Sequence, residues 1–142
     1  MREISLVDTG AFVALLDRSD YHHAWAVECF KTLKPPVFSC EAVLAEAWHL
    51  LGDAPPSRTT LAALCQKGII RTEFSFQDNA SDVWRLLKKY AGTPMDFADA
   101  CLVRLSEIHS SACVWTTDLD FRVYRKMGRQ IIPLLAPWDK NQ

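Results

Sequence analysis

The chain of 142 residues is short of the features that mark several large protein classes. No apolar run approaches the ~18 residues that a membrane span needs, and the longest, near Ala11–Leu16, is far shorter. The start, Met1-Arg2-Glu3-Ile4, has no long apolar segment of the kind that directs export. The expectation is a soluble, cytoplasmic protein with no membrane partner. Charge of one sign is also missing: 16 Lys and Arg face 17 Asp and Glu, for a formal net charge of −1. That excludes a uniformly basic nucleic-acid coat, although local positive charge or a bound metal still suffices for phosphate binding. Cysteines 29, 40, 65, 101 and 113 are odd in number and never form a C-x-x-C pair, which speaks against a zinc ribbon and a disulfide framework. His22, His23, His49 and His109 form no H-E-x-x-H or comparable ligand pair.

What is present is an alternation of short apolar runs and helical patterns. Strands are expected at Ile4–Val7, Val37–Cys40, Ile69–Phe74, Ala112–Thr117 and Ile131–Leu135. Helices are expected at Ala11–Asp17, Asp20–Leu33, Glu41–Leu51, Ser57 to Cys65, Asp78–Tyr90, Asp96–Ile108 and Leu119–Met127. Pro35-Pro36, Gly52-Asp53 with Pro55-Pro56, Gly68 and Gly92 punctuate them. Neither a repeat nor an interdomain linker interrupts the series, so residues 1–142 read as a single domain. Strands alternating with helices build parallel βαβ units, hence an α/β fold with helices on both faces of one sheet. In such a sheet ligands sit beyond the carboxyl ends of the strands, where the winding direction reverses.

Carboxylates gather at those ends. Asp8 closes the first strand and Asp118 closes Ala112–Thr117; each also suits the N-cap of the segment that follows. Glu46 lies between Ala45 and Ala47 in a helix that is apolar nearly all round, which predicts a buried helix. A carboxylate there needs a cation, an Arg or Lys partner, or a strip of solvent shared with His49. Asp96 and Asp99 stand three apart at a helix start, where a capping box competes with a charged pair awaiting something positive. Asp120 is a further contributor or a solvent-facing acid. Oxygen ligands without His or Cys suit a hard cation, magnesium or manganese, and such ions serve phosphodiester hydrolysis by metal-activated water.

Four segments then carry a resemblance. Leu6-Val7-Asp8-Thr9-Gly10-Ala11-Phe12, the helix holding Ala45-Glu46, Phe97-Ala98-Asp99-Ala100-Cys101-Leu102, and Thr116-Thr117-Asp118-Leu119-Asp120-Phe121 resemble the successive motifs of PIN domains. The nearest subset is the VapC-like toxin ribonucleases of type II toxin–antitoxin pairs, and the resemblance runs from Ile4 to about Leu135. It implies a three-layer α/β/α fold with a central, mainly parallel sheet of four to five strands. It also implies that Asp8, Glu46, Asp99 and Asp118 form an acidic quartet, both catalytic and binding Mg2+ or Mn2+. Thr9 and Thr117 fall where the family places a small orienting hydroxyl. Asp96 stands where a Ser or another small residue is commoner, and is read as a helix cap. The implied activity is endonucleolytic cleavage of RNA by a homodimer held in check by an antitoxin protein. Tyr21, Trp25 and Phe30 offer either partner surface or core. Arg122, Arg125, Lys126 and Arg129 offer an RNA-guiding cluster or a solvated helix face.

Competing readings fare worse. A receiver-type domain would want an acidic pair after the first strand, where Thr9-Gly10 follows Asp8. A haloacid-dehalogenase-type phosphatase would want an Asp where Gly10 stands. The remaining rival is a catalytically idle PIN-like module that binds RNA or protein.

Overall fold

The computed structural model describes residues 4–53 and 57–138. The Pro55-Pro56 break lies outside the described residues. In chain order the elements are β1 (Ile4–Val7), α1 (Thr9–Leu16), α2 (His23–Thr32), β2 (Val37–Phe38), α3 (Glu41–Leu51), α4 (Ser57–Gln66), β3 (Ile70–Arg71), α5 (Phe76–Lys89), α6 (Phe97–Ile108) and β4 (Ala112–Trp115). A 3-10 turn (Leu119–Arg122), β5 (Arg125–Lys126), β6 (Gln130–Ile131) and β7 (Leu134–Leu135) complete the series.

Five strands form one sheet in the order β3-β2-β1-β4-β7, and every pairing in it is parallel. β1 and β4 are neighbours, with Leu6 opposite Val114 and Val7 opposite Trp115. The chain winds from β1 toward β3 and then crosses back to β4. The reversal therefore falls between β1 and β4, and both Asp8 and Asp118 emerge there. The α/β architecture expected from the alternation is the one that forms. β1 and β4 are nearly continuous apolar runs, as strands covered on both faces must be. Trp115, Tyr124, Phe12, Phe121, Leu6 and Leu102 are among the largest side chains buried between sheet and helices.

Three expectations are corrected. Leu119–Met127 is not a helix: a single 3-10 turn ends at Arg122, and β5 and β6 form an antiparallel hairpin. Met127 and Gly128, both at positive φ, reverse the chain there, which no helix interior tolerates. The strand expected over Ile131–Leu135 is split, because Pro133 has no N–H for a ladder; β6 joins the hairpin and β7 the main sheet. Finally, α3 is buried on one face only. Val43, Ala47 and Leu51 face the core, while Leu50 is 60% exposed and Trp48 carries the Arg58 guanidinium 5.1 Å above its ring. Composition alone predicts a buried helix here, but among the described residues the outer face of α3 is covered only in part, by Arg58 of α4 over Trp48.

Ser57, expected to cap α4, is the first helical residue, and its hydroxyl donates to Leu16 O. On α2, Tyr21 precedes the helix and is exposed, whereas Trp25 and Phe30 lie 6.1 and 6.4 Å from the Trp115 ring. Trp25 and Phe30 thus close the core over Trp115. Trp25→Ala is expected to lower unfolding free energy by about 2 kcal/mol, read as a lower urea midpoint at unchanged m value. An unchanged midpoint would return Trp25 to the surface.

Candidate metal and active site

Asp8 leaves β1 in extended conformation and caps α1, accepting from Thr9 N at 2.8 Å. Its second oxygen accepts from Thr116 Oγ1 at 2.7 Å, across the β1–β4 boundary. Thr116 Oγ1 also accepts from Asp118 N at 2.9 Å, so one hydroxyl ties the ends of both central strands. Asp118 in turn caps the 3-10 turn through Asp120 N. From the other side, Thr9 Oγ1 donates to Glu46 Oε1 at 2.9 Å and draws α3 to the start of α1. Gly10 is required at this junction, because a Cβ there would run into Thr117 Oγ1.

The third motif arrives on α6. Asp96 and Asp99 form a reciprocal capping box, with Asp99 N donating to Asp96 Oδ1 at 2.8 Å and Asp96 N to Asp99 Oδ2 at 3.4 Å. Asp99 Oδ2 also accepts from the hydroxyl of the fully buried Tyr124 at 3.0 Å. Asp96 is thus the helix cap that its position suggests, and Asp99 is held by its own helix and by Tyr124.

Electrostatically the cluster is unrelieved. Asp8 and Asp99 are 4% and 6% exposed. Burial lifts the Asp8 carboxyl to about 7, against the hydrogen bonds from Thr116 and Thr9 and with help from the charges of Asp118 and Asp96. Burial lifts Asp99 to about 8, and the charges of Asp96 and Asp8 add to it. Glu46 and Asp118 are raised too, by burial first and then, in both, partly by the charge of Asp96. Asp96 therefore acts on all four other acids. None of the ion pairs among the described residues includes Asp8, Glu46, Asp96, Asp99, Asp118 or Asp120.

Such a set of oxygen donors, with neither nitrogen nor sulfur among them and without a protein cation, fits a hard divalent ion. Among the described residues no three His, Cys, Asp or Glu side chains stand close enough to grip an ion as they are. Several of the carboxylate oxygens are instead turned to Thr116, Thr9 and Tyr124.

Two of these positioning groups escape a motif reading. Of the two expected orienting hydroxyls, Thr9 holds Glu46 whereas Thr117 packs on Gly10, and it is Thr116 that bridges Asp8 and Asp118. Strand alternation is the signal that separates them, since adjacent residues at a strand end face opposite ways. Tyr124 lay inside a segment read as helix, which hid its approach to Asp99. Two members of the basic cluster are engaged within the chain. Lys126 is 5% exposed, and its ammonium donates to Ser110 O. The Arg125 guanidinium donates to the carbonyls of Arg122, Val123 and Tyr124, leaving Arg122 and Arg129 exposed.

The PIN domain family profile matches residues 5–127. The solved structure of the VapC20 toxin of Mycobacterium tuberculosis, described as cleaving the sarcin-ricin loop, aligns with a TM-score of 0.75 at 23% identity. That alignment covers 84% of this chain and 93% of the toxin. FitAcB of Neisseria gonorrhoeae aligns with a TM-score of 0.53 at 18% identity, over 81% of this chain and 88% of the other. No curated protein sequence matches significantly. At these identities the two structures speak for the fold alone, whereas the profile match spans most of the chain and all four acidic motifs. The chain belongs to the PIN domain family.

Proposed function

We propose that this protein is a metal-dependent endoribonuclease and the toxin of a toxin–antitoxin pair, active in the cytoplasm as a homodimer of single-domain subunits. The observation that carries the reading is the chain of hydrogen bonds that joins Asp8 and Asp118 through Thr116 at the β1–β4 boundary and sets Glu46 on Thr9 and Asp99 on Tyr124, while none of the ion pairs among the described residues reaches any of the four acids. Family membership supports nuclease chemistry, and the mycobacterial neighbour, a toxin that cleaves the sarcin-ricin loop, supports RNA as substrate and an antitoxin as partner.

In this reading Asp8, Glu46, Asp99 and Asp118 would hold Mg2+ or Mn2+. A bound ion of this kind supplies charge neutralisation at the scissile phosphate and a more acidic water for in-line attack. The remaining work belongs to side chains. Thr116 fixes the rotamer of Asp8 and keeps Asp118 beside it, Thr9 fixes Glu46, and Tyr124 fixes Asp99. Asp96 holds the α6 start and keeps the neighbouring acids from settling without a cation, while Asp120 adds charge beside Asp118. Arg122 and Arg129 are the exposed charges that would meet the RNA backbone.

The test is cleavage of mixed structured RNAs by the purified protein in Mg2+, Mn2+ or EDTA. Cleavage in either ion that stops in EDTA is expected. Cleavage indifferent to EDTA would overturn metal dependence, and metal binding without cleavage of any RNA would favour the idle binding module.

A further inference from the structure

A cavity of about 220 Å3 opens beside the first turn of α6. Cys40, Ala42, Phe74 and Cys101 line it. At its mouth Phe76 and Phe97 meet with ring centroids 5.0 Å apart and planes inclined at 59°. These rings are 42% and 47% exposed. Each is the first residue of its helix, following the caps Ser75 and Asp96, so capping already starts both helices without them. Two large exposed rings converging on a mostly apolar slot form a surface awaiting a flat partner.

The slot lies at the starts of α3 and α6, the helices that carry Glu46 and the Asp96–Asp99 capping box. Phe97 directly follows the cap Asp96, and Phe97 and Cys101, four apart, share one face of α6. Cys40, also in the lining, stands at the N-cap position of α3, the helix that carries Glu46.

We propose that this slot is a base-stacking subsite, in which Phe97 and Phe76 receive one unpaired nucleobase of the RNA next to the phosphate held at the acidic cluster. The proposal rests on the RNA reading above and adds to it the residues that select an unstacked nucleotide. The cavity is smaller than the ~300–1,000 Å3 of pockets for drug-sized ligands and matches a single heterocycle. Recognition of single-stranded RNA commonly splays a base onto aromatic side chains, and any base has the face for it. Glu41 at the lining offers a carboxylate acceptor for a ring N–H or an amino group. Cleavage would then favour loops and bulges over paired stems, because a paired base has no free face to insert.

The experiment is an amide NMR titration of the metal-free protein with uridine and adenosine 5′-monophosphates, run alongside Phe97→Ala and Phe97→Trp. Shifts confined to Cys40, Ala42, Phe97 and Cys101 are expected, lost in Phe97→Ala and kept in Phe97→Trp, with equal melting temperatures for all three proteins. On a cleavable RNA, KM in Phe97→Ala should rise about tenfold with kcat nearly unchanged. Because the titration needs no catalysis, shifts at these residues uphold the subsite even if no RNA is cut. If nucleotides leave these resonances still, the subsite is refuted. If Phe97→Ala instead dissociates an oligomer while nucleotides produce no shifts, the rings are a protein contact and the proposal fails.

Discussion

Asp99→Asn should reduce RNA cleavage by about a thousandfold or more while leaving the protein folded and, without metal, more stable near pH 8. The substitution keeps the shape of the side chain and an oxygen to accept from the Tyr124 hydroxyl, so the packing of α6 against the hairpin survives. What it removes is one negative charge from a group that burial and the neighbouring acids already push up to about 8. Replacing an anionic metal-holding carboxylate by a neutral amide oxygen forfeits several kcal/mol of transition-state stabilisation, which is where the thousandfold comes from. The gain in stability comes from the same charge, whose removal relieves the repulsion from Asp96 and Asp8. A structural residue would lose activity and stability together; a ligand-holding residue trades one for the other. Cleavage within tenfold of wild type would remove Asp99 from the quartet. The measurements are initial rates with Mg2+ in excess and urea midpoints in EDTA.

The sequence displays the main chemistry because the site sits where topology puts it. Asp8 and Asp118 each follow an apolar strand, and the rule that ligands gather at the winding reversal needs only those two strands to be neighbours, as β1 and β4 are. Asp96 and Asp99 are legible at three-residue spacing, since a capping box is a local motif. Glu46 was legible for a less secure reason. Its helix looks buried from composition, yet Leu50 and Trp48 face outward, and Glu46 is placed by the Thr9 hydroxyl rather than by an apolar surround. The groups that hold the acids were harder to see. Thr116 and Thr117 are identical in sequence, and only the strand's alternation sends one to Asp8 and the other to Gly10. Tyr124 reaches Asp99 because the chain abandons helix after Arg122, and that depends on a reversal at Met127-Gly128 and on Tyr90, whose hydroxyl accepts from Arg125 N. A long-range contact of that kind leaves no periodic trace in the segment it shapes.

The same acids make stability depend on pH in a direction opposite to that of salt-bridged carboxylates. Both Asp8 and Asp99 start from an ordinary value of 3.8 and are raised in the folded protein, to about 7 and about 8. Below pH ~4 they are protonated whether the chain is folded or not, and their contribution is fully present. As pH rises, the unfolded chain releases these protons first and binds fewer than the folded one, so stability falls until the folded groups ionise as well. The metal-free protein is therefore expected to lose about 3 kcal/mol or more between pH 5 and 8, or roughly 10 °C in Tm. A divalent ion binds only the ionised carboxylates, so its stabilising effect must grow over the same interval. With Mg2+ or Mn2+ in excess the Tm profile should flatten, the two curves meeting near pH 5 and parting toward pH 8. Asp99→Asn should flatten the metal-free curve without any ion, because it deletes one of the two titrations. Metal-free stability that holds constant or rises from pH 5 to 8 would mean that Asp8 and Asp99 ionise normally. The acidic cluster would then have no charge deficit for a metal to fill. If Mg2+ raised Tm equally at both ends of the range, the ion would be binding outside these carboxylates, and the assignment of the quartet would fall with it.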